Sequence, residues 1–223
     1  MYAWPAIIFV ASGGIVLFTR KALVQTWKDT RRYVAFAAML FFASVVVGGS
    51  SQSPMPFLDE QLKAIEKLAT EASSSANPQL SFFQTIFLNN IRSVVAAMYF
   101  GIFACIMPIA TLVLNGMLLG YLFGGLADQG HNVWPIITKS ILPHGIVEFL
   151  ALFLACGTGI RLGYMSVKGL WSALLGKDKP WTGFVAALKG SVPMLLAIVL
   201  LLLLAAVIES TLTYWLSTNS KLA

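Results

Sequence analysis

Apolar runs close to 20 residues recur along the chain, and no other feature restricts its folding options so strongly. A helix needs about 20 such residues to cross a hydrocarbon core of about 30 Å. A soluble domain of 223 residues could not bury several runs of this length. The stretch Ala197 to Ile208 is continuous rather than alternating, which excludes the dyad pattern of a membrane β-barrel and leaves helices. Composition agrees: 58% of residues are hydrophobic and 11% charged, against about 45–50% and 25% in soluble domains.

The expected fold is therefore all-α, a polytopic transmembrane bundle forming a single integral membrane domain. About six spans are expected, near residues 2–18, 33–49, 83–106, 109–127, 134–157 and 190–209. The first is short, carries Pro5, Gly13 and Gly14, and lacks the basic leader and cleavage site of a signal peptide, so it reads as a retained anchor. Pro108 leaves almost no connection between the third and fourth spans, which makes them an antiparallel pair.

Two segments between spans read as interfacial helices. In 50–81, the residues Phe57, Leu58, Leu62, Ile65, Leu68, Ala69 and Ala72 follow helical spacing, as an amphipathic helix on the membrane surface does. In 160–189, Arg161, Lys168, Lys177, Lys179 and Lys189 punctuate an apolar pattern, with a turn at Lys177-Asp178-Lys179-Pro180. If the spans alternate, the segments 19–32 and 160–189 lie on one side and hold 10 of the 15 Lys and Arg residues. The positive-inside rule makes that side cytoplasmic and 50–81 an outer segment. Because the net charge of +6 is concentrated beside apolar runs, its expected partner is the lipid bilayer with its anionic headgroups, and no nucleic acid. Trp134 and Trp181 fall near span ends, where indoles anchor in the interface.

Strongly polar residues inside the spans need partners, since a charge at a helix centre costs roughly 2.5–3.5 kcal/mol. They are Asn89, Asn90 and Arg92, then Asn115, and then Lys139, His144 and Glu148. At 1.5 Å per residue, Arg92 lies ~14 Å from the outer face, His144 ~15 Å, and Glu148 and Asn115 ~21 Å. The convergence predicts a midplane polar cluster of Asn89, Asn90, Arg92, Asn115, His144 and Glu148, in which His144 or Arg92 is the expected partner of Glu148. His144 and Glu148 are four residues apart and share a helix face. Pro143 and Gly145 beside them predict a kinked or broken helix. Such a layer serves as an ion or substrate position or as interhelical polar glue, and both readings stand at this point.

Catalysis finds little support. His144-Gly145-Ile146-Val147-Glu148 is not a zinc-peptidase HExxH motif, and no GxSxG or P-loop is present. No metal site or cofactor is expected, and Cys105 and Cys156 read as small core residues. Gly116, Gly120 and Gly124 form a ladder along one strip of the fourth span. Such a strip packs closely on a neighbouring helix, within the bundle or, alternatively, at a homo-oligomer seam.

The segments Leu88-Asn89-Asn90-Ile91, Leu114-Asn115-Gly116-Met117-Leu118-Leu119-Gly120 and Leu142-Pro143-His144-Gly145-Ile146-Val147-Glu148 occur in that order and are followed by Ala155-Cys156-Gly157-Thr158-Gly159. This series resembles the stage II sporulation protein M family. The resemblance implies a multi-pass protein of a bacterial or archaeal cell membrane, with about five helices from residue 33 onward and residues 1–18 as an addition. It also implies work with peptidoglycan-remodelling partners, as the namesake does in engulfment of the forespore, although members occur in organisms that do not sporulate. Two functional expectations result. One is a non-enzymatic scaffold or subunit of an envelope-associated complex of membrane proteins. The alternative is a small transporter or channel subunit that uses the midplane cluster.

Overall fold

A computed structural model describes residues 19–50, 55–138 and 142–219, without the side chains of residues 136, 142–144 and 212–219. The expected span at 2–18 lies outside the described residues. Every regular element among the described residues is helical: α1 Arg20–Gly49, α2 Pro56–Ser73, α3 Pro78–Phe100, α4 Ile106–Asp128, α5 Val133–Ile136, α6 Leu142–Leu174 and α7 Thr182–Asn219.

Local chemistry accounts for the helix starts. Thr19 caps α1 by accepting from the Ala22 amide at 3.2 Å, and Asn77 caps α3 by accepting from Leu80 at 3.2 Å. Each satisfies an amide that the first turn would otherwise leave unpaired. Pro56 and Pro78 occupy the first helical positions of α2 and α3, where the missing N–H costs nothing. Between α3 and α4 the chain reverses at 101–105, with Ala104 and Cys105 in the left-handed region at φ 52° and 64°.

Among the described residues, four helices are long and apolar enough to cross a membrane: α1, α4, α6 from Gly145, and α7 as far as Thr211. The most enclosed is α6, with 61% of its most apolar window buried in the protein. One face joins Ala37, Phe41, Ala97 and Leu112 through Phe153, Cys156 and Ile160. The other joins Val94, Met98, Ile198 and Leu202 through Ala151, Leu154 and Ala155. Around this axis, α1 packs against α4 and α6, and α3 against α6 and α7.

Glycine sets the closest of these approaches. A side chain on Gly120 of α4 would meet the Val45 carbonyl oxygen and the Gly49 backbone of α1, and one on Gly116 would lie 2.5 Å from the Phe41 carbonyl oxygen. The ladder of Gly116, Gly120 and Gly124 is therefore an α1–α4 seam within the bundle. At Ala155-Cys156-Gly157-Thr158-Gly159, Gly157 faces the Val34 backbone of α1, and Gly159 faces Ala97 and Met98 of α3.

One expected element takes a different form. The basic stretch 160–189 holds no separate interfacial helix. Instead α6 runs on to Leu174, a turn follows with Gly176 at φ 64° and Lys179 at φ 50°, and α7 begins at Thr182. Its amphipathic pattern belongs to two bundle helices whose basic ends extend past the apolar core. The helix break expected at Pro143 and Gly145 borders residues 139–141, which lie outside the described residues: α5 ends at Ile136, and α6 is described from Leu142 onward.

Candidate functional site

A cavity opens between α2, α3, α4, α6 and α7, with Phe41 of α1 completing its lining. One lobe, of about 260 Å3, is lined by Leu62, Ile65, Asn90, Asn115, Glu148 and Phe149 among others. A second, of about 340 Å3, shares Ile65, Asn90, Asn115 and Glu148 with it and adds Asn89, Thr85 and Glu209. The lobes meet at a layer of amides and carboxylates.

The geometry of that layer follows from the helices that hold it. Asn90 of α3 donates its side-chain amide to Glu148 Oε1 of α6 at 2.6 Å, a contact made possible by the packing of α3 on α6. Asn115 of α4 donates to the carbonyl of Thr111, one turn earlier, at 2.7 Å, which holds its amide against its own helix while it faces the cavity. Beneath, Phe41, Phe149 and Phe153 form an apolar floor with ring centroids 5.1 to 6.3 Å apart. Above, α2 bridges the opening. It is anchored near its two ends by buried Leu58 and Ala72, and Tyr121 of α4 donates a hydrogen bond of 2.8 Å to Asp59. Between the anchors, Leu62, Ile65, Leu68 and Ala69 face the cavity.

The structure thus brings Asn89, Asn90, Asn115 and Glu148 together, and it separates Arg92 from them. Arg92 is exposed and lines neither lobe. Two positions along α3 from Asn90 amount to a rotation of about 200°, so a residue at matching depth lies on the far side of the helix. The partner of Glu148 among the described side chains is Asn90, not Arg92. His144 belongs to α6, but its side chain is outside the described residues, as is Lys139. Gly145 is buried one turn before Glu148.

Glu209 was not expected. It follows the apolar run directly and reads as the end of a span. Because α7 continues to Asn219, Glu209 instead sits along a helix face turned to the cavity. The signal available in the sequence was its single acidic character between Ile208 and the further helix-compatible stretch from Ser210.

Chemically, two carboxylates and three amides supply oxygen acceptors to a cation or proton and N–H donors to a polar solute. They include no nucleophile with a positioned base. Among the described residues, no three His, Cys, Asp or Glu side chains are grouped as a metal site would require.

A multi-pass bundle of this kind, with an Asn-Gly helix packed beside a Gly-x-x-Glu helix, defines a class of helical integral membrane protein. The family model described as Stage II sporulation protein M matches residues 34–214, and the chain belongs to that family. As a member it is a multi-pass helical protein of a bacterial or archaeal membrane. It is also similar to a Methanocaldococcus jannaschii protein described as uncharacterized, with 27% identity over 155 residues that make up 69% of this chain and 84% of that protein. No solved structure matches the chain.

Proposed function

We propose that the chain is a scaffold subunit of an envelope-associated membrane complex, and that α2 is the surface it offers to its partners. The observation that carries this reading is the exposure of α2. The helix lines the cavity with Leu62, Ile65, Leu68 and Ala69, while Lys63, Glu66, Lys67, Thr70 and Glu71 stay exposed and Phe57 adds exposed apolar surface. A helix with such an exposed polar face presents it to another protein, and membrane proteins with extracellular segments, peptidoglycan-remodelling ones included, fit that position.

In this reading α3 is a further crossing beside the four most apolar helices, its hydropathy lowered by Asn89, Asn90 and Arg92. The basic ends of α1, α6 and α7 are then cytoplasmic, and the span expected at 2–18 would be a sixth crossing. The test is site-specific photocrosslinking from Glu66 in living cells, paired with complementation of a null strain. The expected result is a discrete adduct that disappears, together with complementation, when Lys63, Glu66 and Lys67 are all changed to Ser. Full complementation by that triple variant would remove α2 as the working surface.

A second reading is favoured by the Asn90–Glu148 contact within the cavity. It makes the chain a small transporter or channel subunit, acting alone or as a homo-oligomer, that passes a cation or polar solute. Glu148→Gln should then abolish flux in proteoliposomes while leaving the melting temperature near that of the parent. Unchanged flux would eliminate this reading.

A further inference from the structure

A second polar cavity, of about 350 Å3, lies at the opposite, basic end of the bundle, lined by Lys28, Asp29 and Arg32 of α1, Arg161 and Met165 of α6, and Gly183 and Ala186 of α7. Neither reading of the function uses it. Arg161 is its most constrained element: the residue is 5% exposed, yet it carries a guanidinium. Its Nη1 donates to Thr30 Oγ1 at 3.0 Å, its Nη2 pairs with Asp29 Oδ2 at 3.2 Å, and its Nε is buried without a partner.

The charges around the cavity do not balance. Asp29 is the one acidic group in its lining, and three cations surround it: Lys28, Arg32 and Arg161. Asp29 is further committed, since its Oδ1 accepts from Gln25 at 2.8 Å. Lys28 makes no ion pair among the described residues. Arg32 is held in place beside the cavity, its guanidinium 4.8 Å from the Tyr33 ring centroid and donating to the Tyr33 hydroxyl at 2.9 Å. Two positive charges are therefore left over in a concave site with oriented donors, the arrangement that selects a phosphate group.

Its level in the membrane adds to the argument. Arg32 stands immediately before the apolar run 33–49, and Gly183 lies in the first turn of α7. Exposed Tyr164, Trp171 and Trp181 ring the same end, as aromatic side chains do at headgroup depth. Small residues, Gly183 and Ala186, form the α7 wall, and a side chain on Gly183 would come within 3.2 Å of Met165 Sδ. Basic pockets between membrane helices at this depth hold lipid phosphates, and a soluble phosphate ester could reach the same place from the aqueous side.

We infer that the cavity of Lys28, Arg32 and Arg161 is a binding site for a phosphate group, supplied by an acidic phospholipid headgroup or by a soluble phosphate ester. The test uses the full chain in neutral detergent and follows its melting temperature. Dioleoylphosphatidylglycerol is titrated against dioleoylphosphatidylcholine, and sodium phosphate against sodium chloride at equal ionic strength. Native mass spectrometry counts retained lipid in parallel. Phosphatidylglycerol should stabilise the protein, with half-saturation shifted by about tenfold or more in the double variant Lys28→Gln/Arg32→Gln and by less than about twofold in Lys177→Gln. Lys28 and Arg32 are exposed, so the double variant retains the fold. Stabilisation by sodium phosphate with the same dependence on Lys28 and Arg32 assigns the site to soluble phosphates. Equal shifts in the double variant and Lys177→Gln, or no stabilisation by either ligand, would overturn the inference.

Discussion

Asn90 and Glu148 stand 58 positions apart in the chain and meet at 2.6 Å, tying α3 to α6 inside the bundle. The amide donates and the carboxyl group accepts, so replacing Asn90 with Leu leaves an acceptor without its donor, at a cost of about 1–3 kcal/mol. Arg92→Gln, on the far side of α3, should stay within about 0.5 kcal/mol of the parent. Thermal melts in detergent measure both. An Arg92→Gln penalty as large as that of Asn90→Leu would mean that Arg92 belongs to the cluster after all.

The α1–α4 seam makes a sharper prediction, because it separates two glycines of one helix. Gly120→Ala would place a methyl group on the Val45 carbonyl and force the backbones apart, costing about 1–3 kcal/mol as overpacking does. Gly125 has nothing within 4 Å of an added Cβ, and Gly125→Ala should be neutral or slightly stabilising through its better helix propensity. Equal melting temperatures for the two variants would place the seam elsewhere.

At the basic end, Arg161→Met removes a charge held by Thr30 and Asp29, and Asp29→Asn removes its counterion. Breaking a buried pair from one side costs about 3–5 kcal/mol. That cost comes from the charge left behind, so Asp29→Asn, which strands the buried Arg161, should be the more damaging change; because the Asp29 side chain is 42% exposed, water screens the pair and the loss should be nearer ~1 kcal/mol, with Arg161→Met below it. The exposed Lys67–Glu71 pair, at 3.9 Å, offers a control in which Glu71→Gln changes stability by less than about 0.5 kcal/mol. A ranking in which Glu71→Gln is the most damaging of these changes would contradict the buried role of Arg161.

Topology can be checked with an impermeant thiol reagent after the native thiols are removed. Cys105 donates to the Ile160 carbonyl at 3.3 Å, so Cys105→Ser preserves the contact, while buried Cys156 is better replaced by Ala. Cysteine at Ser74, exposed beyond the end of α2, should react from outside intact cells. Cysteine at Lys177, exposed between α6 and α7, should react only after lysis. The reverse pattern would invert the molecule in the membrane.

Membrane residence, the all-helical class and the apolar spans within α1, α4, α6 and α7 were decided by the sequence alone, because a run of some 20 apolar residues has one stable environment whatever its neighbours do. That Asn115 and Glu148 share one level, lining the same cavity, was legible for a related reason: rise per residue is constant along a helix, which set both at ~21 Å. Rotation about the helix axis relative to other helices is not encoded in any single segment. Tertiary packing alone put Asn90 against Glu148, turned Arg92 away, brought Glu209 to the cavity and selected α1 as the partner of the glycine ladder. It also gathered Lys28, Arg32 and Arg161, separated by as many as 133 positions, around one cavity, because α1 and α6 pack together where their basic ends leave the apolar core.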